Sequence, residues 1–60
     1  MAAESIAVTF QREKETMHIV RFQEVVGDGP GPMIGTVYIA KWAMDLIDNP
    51  EQIVLEIRRG

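Results

Sequence analysis

Two segments near the start of the chain alternate apolar and polar residues with a period of two. In the first, SIAVTFQRE, the side chains of Ile6, Val8 and Phe10 fall on one side, and the polar side chains fall mostly on the other. The second, MHIVRFQEVV, is rich in β-branched residues and shows the same alternation. Such alternation is typical of half-buried β-strands, so we expect a hairpin whose strands are joined by the polar stretch EKET.

The apolar positions of these two strands favour one register for the hairpin. With Phe10 opposite Val20 and Val8 opposite Phe22, the apolar side chains of both strands lie on the same side. A slip of one residue would turn one of the apolar sets to the other side. In the favoured register, the loop between the two strands runs from Lys14 to Thr16. It lacks the glycine that such loops prefer, and a longer turn is the alternative.

The second half of the chain predicts a strand, a short helix and a last strand. IGTVYIAK alternates, with Val37 and Ile39 on one side. In KWAMDLIDN, Trp42 and Leu46 stand four residues apart and form an apolar stripe that is typical of a helix facing a core. This helix should end at Asn49, because the proline that follows cannot continue it. EQIVLEIRR alternates again, as expected of a fourth strand.

These elements predict one small α+β domain over residues 1–60, in the order β-β-β-α-β. It consists of a hairpin over 4–26, a connection over 27–34 that is rich in glycine and proline, and a β-α-β unit over 35–59. We expect a small antiparallel sheet or partly closed barrel with one short helix. The predicted core comprises Ile6, Val8, Phe10, Val20, Phe22, Val37, Ile39, Ile53, Leu55 and Ile57, together with Trp42 and Leu46.

The connection GDGPGP raises the question of a phosphate-binding loop. Such loops present backbone N–H groups at the start of a helix, but two of these six residues are prolines and a strand follows. Pro32 stands where the pattern G-x-G-x-x-G needs its third glycine, and no Gly-Lys-Ser/Thr follows. We therefore interpret the segment as a flexible connection.

The length of the chain bears on its state of association. A 60-residue domain buries only about 60% of the surface that its unfolded chain exposes, so its stability is marginal without further support. With no cysteine, disulfides and thiolate metal sites are excluded, and His18 alone cannot hold a zinc ion. We expect His18 on the core side of the second strand. The support that remains is association, so we predict a homodimer or a larger oligomer.

Apolar residues also fall on the side of the predicted strands that faces away from the core. One short helix cannot cover both sides of a sheet, and an exposed apolar patch usually marks an interaction site. For Trp42, an interface anchor is the alternative to a core position. The predicted oligomer or partner interface comprises Met17, Ile19, Val25, Tyr38, Trp42 and Val54.

The charge of the chain is modestly acidic, with six basic and nine acidic side chains. This balance disfavours nonspecific binding to nucleic acid, which depends on neutralising phosphates. A local basic surface remains open, because the hairpin and the last strand could bring five basic residues together. Tyr38 is the one aromatic side chain placed to stack on a base of a single strand. The basic residues concerned are Arg12, Lys14, Arg21, Arg58 and Arg59.

The C-terminal half, GTVYIAKWAMDLIDNPEQIVLEI, follows a pattern of an apolar strand, a lysine, a short helix, a turn and an alternating strand. The pattern is matched by Gly35, Val37, Ile39 and Lys41. This half resembles the repeating element of AbrB/MazE-type swapped-hairpin proteins, which read roughly G-x-h-x-I-P-K, where h is apolar. Ala40 stands where that family has proline. The same half is also similar to short bacterial proteins with a G-T-L-Y-h-x-K motif, which carry no established activity.

The AbrB-like resemblance implies an intertwined homodimer that binds DNA through basic residues on the dimer surface. Lys41, Arg58 and Arg59 occupy suitable positions for such contacts. The acidic net charge weakens the DNA part of this expectation more than the dimer part.

No group of residues in the sequence predicts catalysis. The single serine lies near the N-terminus and no nucleophile–base pair is evident, so we expect no enzyme activity, cofactor or metal. No apolar run approaches the roughly 20 residues that span a bilayer, and the first residues do not resemble a signal peptide, so we expect a cytoplasmic protein. The predicted function is a protein-interaction module of the adaptor or inhibitor type. An AbrB-like or single-strand nucleic-acid-binding regulator is the alternative.

Overall fold

In a computed structural model that describes residues 4–60, the chain forms four strands and one helix. The first three residues of the predicted domain lie outside the described residues. The elements are β1 (Ser5–Glu15), β2 (Ile19–Glu24), β3 (Thr36–Ala40), α1 (Lys41–Asp45) and β4 (Gln52–Arg58). The order is that of a small α+β fold, as the sequence predicts, although the helix is a minor part of it.

The four strands form one antiparallel sheet that curls into a half-barrel, with the order β3-β2-β1-β4. β4 pairs with β1, so the last strand is a neighbour of the hairpin. β3 and β4 lie at opposite edges, although they flank α1 in the sequence. The connection from α1 to β4 therefore runs from one edge of the sheet to the other.

The register of the β1–β2 hairpin differs from the predicted one. Phe10 lies opposite Glu24 rather than Val20, a shift of four residues, and Arg12 lies opposite Phe22. A shift by an even number of residues keeps every side chain on its side of the sheet, so the alternation satisfies both registers. The predicted register is wrong, but the sides that it assigned to the alternating apolar residues are retained.

Local hydrogen bonds at the end of the hairpin explain the observed register. The Thr16 N–H donates to the Ile19 carbonyl oxygen at 2.8 Å, and the Ile19 N–H donates to Thr16 Oγ1 at 3.2 Å. These bonds close a turn with only Met17 and His18 between the bonded residues. β1 accommodates the turn with an irregularity between Arg12 and Lys14, where one residue is left without a partner. His18 is exposed in this turn, so its predicted core position is wrong.

The core lies on one side of the sheet, which we call the inner face. Its buried residues are Val8, Phe10, Val20, Phe22, Met44 and Ile53, with Val37, Ile39 and Leu55 packed against them. Most of these were predicted from the alternation. Ile6 and Ile57, which were assigned to the core, are each 44% exposed, because α1 packs over β2 and β3 and leaves this end of β1 and β4 open.

The helix presents the opposite side to the core from the one predicted. Trp42 is 71% exposed and Leu46 is 77% exposed, whereas Met44 is 2% exposed. At about 100° per residue, Trp42 and Leu46 lie close together on the side of the helix opposite Met44. The core assignment of Trp42 and Leu46 is therefore wrong. The helix starts directly after Ala40, and the Lys41 N–H donates to the His18 carbonyl oxygen at 2.8 Å, so the end of β3 fixes its rotation.

The helix ends at Asp45, four residues before the predicted end at Asn49, and a turn carries the chain on to Asn49. Asp48 and Asn49 have positive φ values of 63° and 53°, and the Asn49 N–H donates to the Met44 carbonyl oxygen at 2.8 Å. Asparagine and aspartate adopt the left-handed region more readily than other non-glycine residues. The backbone reverses here and starts across the inner face toward β4.

Candidate interaction surfaces

The connection between β2 and β3 presents backbone N–H groups to an anion, and that anion is a side chain of the protein itself. The Glu24 carboxylate accepts hydrogen bonds from the N–H groups of Met33 at 3.0 Å, Ile34 at 2.7 Å and Gly35 at 2.9 Å. These bonds lower the pKa of Glu24, which is 7% exposed. Gly35 has a φ of 97°, which favours glycine at this position. These three N–H groups, which follow GDGPGP in the chain, are therefore bonded within the protein.

A row of uncharged polar side chains crosses the outer face of the sheet, which is the side opposite the core. Thr36, Gln23, Gln11 and Gln52 are successive neighbours across all four strands. Thr36 Oγ1 donates to Gln23 Oε1 at 2.8 Å, and Gln52 Nε2 donates to Gln11 Oε1 at 2.9 Å. This polar row divides the outer face into two parts.

The outer-face residues that the sequence assigned to an interface fall on both sides of the polar row. Ile19 and Tyr38 lie on one side, near the β1–β2 turn. Val54 lies on the other, opposite Thr9, and the Val25 N–H donates to the Thr9 carbonyl oxygen at 2.9 Å. All four apolar side chains are exposed, but they do not form one continuous patch on this face.

Among the described residues, the three large apolar side chains with the highest exposed fractions, Met17, Leu46 and Trp42, lie instead at the helix end of the molecule. Trp42 and Leu46 point away from the core, and Ile47 follows Leu46 in the chain. Met17 lies in the β1–β2 turn next to His18, whose carbonyl oxygen accepts from the Lys41 N–H at the start of α1. We call Met17, Trp42, Leu46 and Ile47 the helix patch. The sequence pattern predicts Met17 and Trp42 at an interface but does not identify Leu46 and Ile47 as surface residues, because their spacing is equally compatible with a core stripe.

Arg12 lies on the inner face and holds the connection between α1 and β4. Its side chain is 13% exposed, and Nη2 donates to the carbonyl oxygens of Asn49 and Pro50, each at 3.2 Å, and to Asn49 Oδ1. Its guanidinium also lies 6.0 Å from the centre of the Phe22 ring. Arg12 is thus part of the interior of the fold, on the opposite side of the sheet from Arg21.

Two other basic residues assigned to a nucleic-acid surface are paired with glutamates. Arg21, on the outer face, forms an ion pair with Glu13. Lys41 Nζ lies 2.9 Å from Glu15 Oε2 and lowers the pKa of Glu15 through a hydrogen bond and its charge. Both ion pairs are partly exposed, so solvent screens their charges.

The basic residues near the end of the chain lie far along the sheet from the helix. Arg58 Nε lies 2.7 Å from Glu56 Oε1, and Arg58 lines a shallow polar depression with Glu4, Ser5 and Arg59. Lys14 lies opposite Arg21 at the other end of β1. The structure therefore separates the predicted basic residues between two faces and two ends of the sheet.

Within residues 4–60 the structure contains no group of three or more histidine, aspartate and glutamate side chains that could hold a metal ion. The helix found in this part of the chain is too short to cross a membrane. The chain matches no family model, no curated protein and no solved structure. The AbrB/MazE resemblance therefore stays a prediction.

Proposed function

We propose that this protein is a non-enzymatic interaction module of the adaptor or inhibitor type, which self-associates and binds a partner protein through the helix patch. The observation that carries the proposal is the exposure of Trp42, on a helix whose only buried side chain is Met44, and of Leu46, which caps the end of that helix. Tryptophan is enriched among the residues that dominate binding energy at protein interfaces.

The arrangement of the helix patch supports binding by one partner surface. Trp42 and Leu46 are one helical turn apart, and Met17 lies in the adjoining turn, so their side chains can be covered together. Monomeric soluble proteins rarely leave large apolar patches exposed, and those patches commonly mark interaction sites.

A nucleic-acid-binding role has less support from the geometry. Electrostatic binding to phosphates depends on several basic side chains that lie on one surface. Four basic side chains, those of Arg12, Arg21, Lys41 and Arg58, are paired with glutamates. Tyr38 lies next to Arg21 on the outer face, away from Arg12.

The replacement Trp42→Lys tests the proposal, with Tyr38→Lys as the matched control. Both side chains are large, aromatic and exposed, but only Trp42 belongs to the helix patch. Each variant is immobilised, incubated with extract of the source cells, and the bound proteins are quantified by mass spectrometry. We expect a protein that is enriched on the wild type and on the Tyr38→Lys variant and that is lost from the Trp42→Lys variant.

Binding of that protein is then measured by the fluorescence of Trp42, the single tryptophan of the chain. Emission should shift to shorter wavelength as the exposed indole becomes covered. A partner recovered in equal amounts on the immobilised Trp42→Lys variant and on the wild type would exclude the helix patch. Duplex or single-stranded DNA that binds at low salt, with an affinity that falls as salt rises, would support the nucleic-acid alternative.

A further inference from the structure

β4 lies at the edge of the sheet, and half of its backbone groups point away from β1. The Arg12 N–H donates to the Glu51 carbonyl oxygen at 2.7 Å, and the register continues without irregularity to Ser5 opposite Arg58. In an antiparallel ladder, hydrogen-bonded and non-bonded pairs alternate. The N–H and C=O groups of Ile53, Leu55 and Ile57 therefore point toward β1. Those of the four alternate residues point toward the free edge, and these residues are Gln52, Val54, Glu56 and Arg58.

This edge has few of the features that prevent strands from pairing with other chains. Protected edges are short, irregular, or interrupted by proline or an inward-pointing charge. β4 has seven residues, contains no proline, and carries its charges on the outer face. The other edge strand, β3, has five residues and runs directly into α1. Within residues 4–60, β4 pairs only with β1.

Apolar side chains on the inner face are uncovered along the same edge. Ile57 and its cross-strand neighbour Ile6 are each 44% exposed, and Leu55 is partly exposed. α1 packs on β2 and β3, on the other half of the sheet. The unpaired edge and the uncovered apolar side chains therefore occur together.

The chain exposes more surface than a compact monomer of its mass would. The chain exposes 4799 Å², whereas a folded monomer of this mass exposes about 4000 Å². The difference of about 800 Å² is close to what one partner contributes to an interface of standard size. The radius of gyration, 12.7 Å, is likewise larger than the roughly 10 Å expected for a compact domain of this length.

We propose that a second copy of this chain pairs antiparallel with the free edge of β4 and extends the sheet to eight strands. This inference rests on the self-association included in the proposed function and assigns a surface to it. The register that pairs the whole of Gln52–Arg58 places Leu55 opposite the partner's Leu55 on the two-fold axis. Ile53 then lies beside the partner's Ile57, so the apolar inner faces of the two copies become continuous.

The same register makes a specific prediction for the outer face. Val54, which is 64% exposed, lies opposite the partner's Glu56, and the symmetry of the dimer produces this pair twice. A lysine at position 54 would form two attractive cross-strand pairs, and a glutamate would form two repulsive ones. Val54 lies beside Thr9 within its own sheet and outside the core, so neither change removes a core contact of the monomer.

The test compares Val54→Lys and Val54→Glu in the full chain by sedimentation equilibrium over a dilution series. Relative to the wild type, the dissociation constant of the dimer should fall for Val54→Lys and rise for Val54→Glu, each by roughly 2- to 30-fold. The matched controls are Thr36→Lys and Thr36→Glu. Thr36 is also exposed on an edge strand with its backbone N–H toward the free edge, and both control changes should leave the dissociation constant unchanged.

Val54→Pro provides a second, independent test. It removes an N–H that points to the free edge and leaves the bonds between β4 and β1 in place, so proline is tolerated there in the monomer. We expect a folded monomer, with the circular dichroism of the wild type.

Three results would overturn the proposal. They are a wild type that remains monomeric at high concentration, equal dissociation constants for the two charge variants, and a proline variant that remains a dimer. Binding of a partner through Trp42 is measured separately. A dimer that keeps forming in the β4 variants would contradict only the pairing at β4, whereas a monomeric wild type would also contradict the self-association in the proposed function.

Discussion

The orientation of α1 can be tested by truncating two side chains of similar size on the same helical segment. Met44 is the residue of this segment that enters the core, whereas Leu46 is exposed. The apolar stripe in the sequence predicts the opposite assignment. Replacing each residue separately with alanine therefore distinguishes the helix orientation in the structure from the one that the pattern predicts.

The two burial values lead to different losses of stability. Replacing a fully buried methionine with alanine costs about 2–5 kcal/mol, because transfer free energy is lost and a cavity remains. Leu46 buries about a quarter of its side chain, so its truncation should cost about 0.3–0.7 kcal/mol, a quarter of the value for full burial. A domain of this length has a total stability of about 3–9 kcal/mol, so Met44→Ala removes a large part of it.

Urea denaturation followed by circular dichroism measures both losses. With a slope of about 1 kcal/mol per molar urea for a very small protein, the midpoint should fall by about 2 M or more for Met44→Ala and by less than about 1 M for Leu46→Ala. All samples must have the same protein concentration, because self-association contributes to the apparent stability. A loss for Leu46→Ala that equals or exceeds that for Met44→Ala would refute the observed orientation of the helix.

Two further predictions concern the side chains that hold the loops. In Glu24→Gln an amide nitrogen replaces the carboxylate oxygen that accepts from the Met33 N–H. Two hydrogen-bond donors then face each other, so we expect a lower melting temperature at neutral pH. Because hydrogen bonds lower the pKa of Glu24 in the folded state, their contribution is complete above the ordinary value of about 4.3 and is lost as the pH falls. The melting temperatures of the wild type and this variant should therefore converge in acid, and a constant difference would contradict the assignment. Arg12→Met removes charged hydrogen bonds to the connection at Asn49 and should cost about 1.5–3 kcal/mol in urea denaturation. The exposed Arg58→Met is the control, and an equal loss in both variants would show that Arg12 does not hold the connection.

The alternation of the strands predicts which side chains are buried, but not how the strands are aligned. Val8, Phe10, Val20 and Phe22 are buried as predicted, because a period of two assigns each residue to a side. That assignment is unchanged when one strand slides by two or four residues. The register depends on the turn, where the Thr16 side chain bonds to the backbone, and on an irregularity in β1 that no pattern of apolar residues reveals.

The position of the candidate binding surface could be predicted only in part, for a related reason. A spacing of four identifies Trp42 and Leu46 as neighbours on a helix, but it does not say whether they face the core or the solvent. A long amphipathic helix turns its apolar side toward the core, because that side carries most of the apolar surface that the helix can bury. α1 has five residues, and one flexible methionine is enough to fill the space beneath it. Which side of α1 faces the core then depends on where β3 ends, and the end of β3 is set by the whole sheet.

Charged side chains hold several segments of this small fold in place, and this bears on the proposed function. A sheet with one short helix has little core, so polar side chains must hold the segments that the core does not reach. Arg12 holds the connection to β4, and Glu24 holds the connection to β3. Lys41 and Arg21 pair with glutamates of β1. These side chains are paired within the fold, whereas the single tryptophan contributes little to the core and remains exposed. In the proposed function, the chain binds other proteins through apolar side chains and an open strand edge, which are features that protein chains recognise.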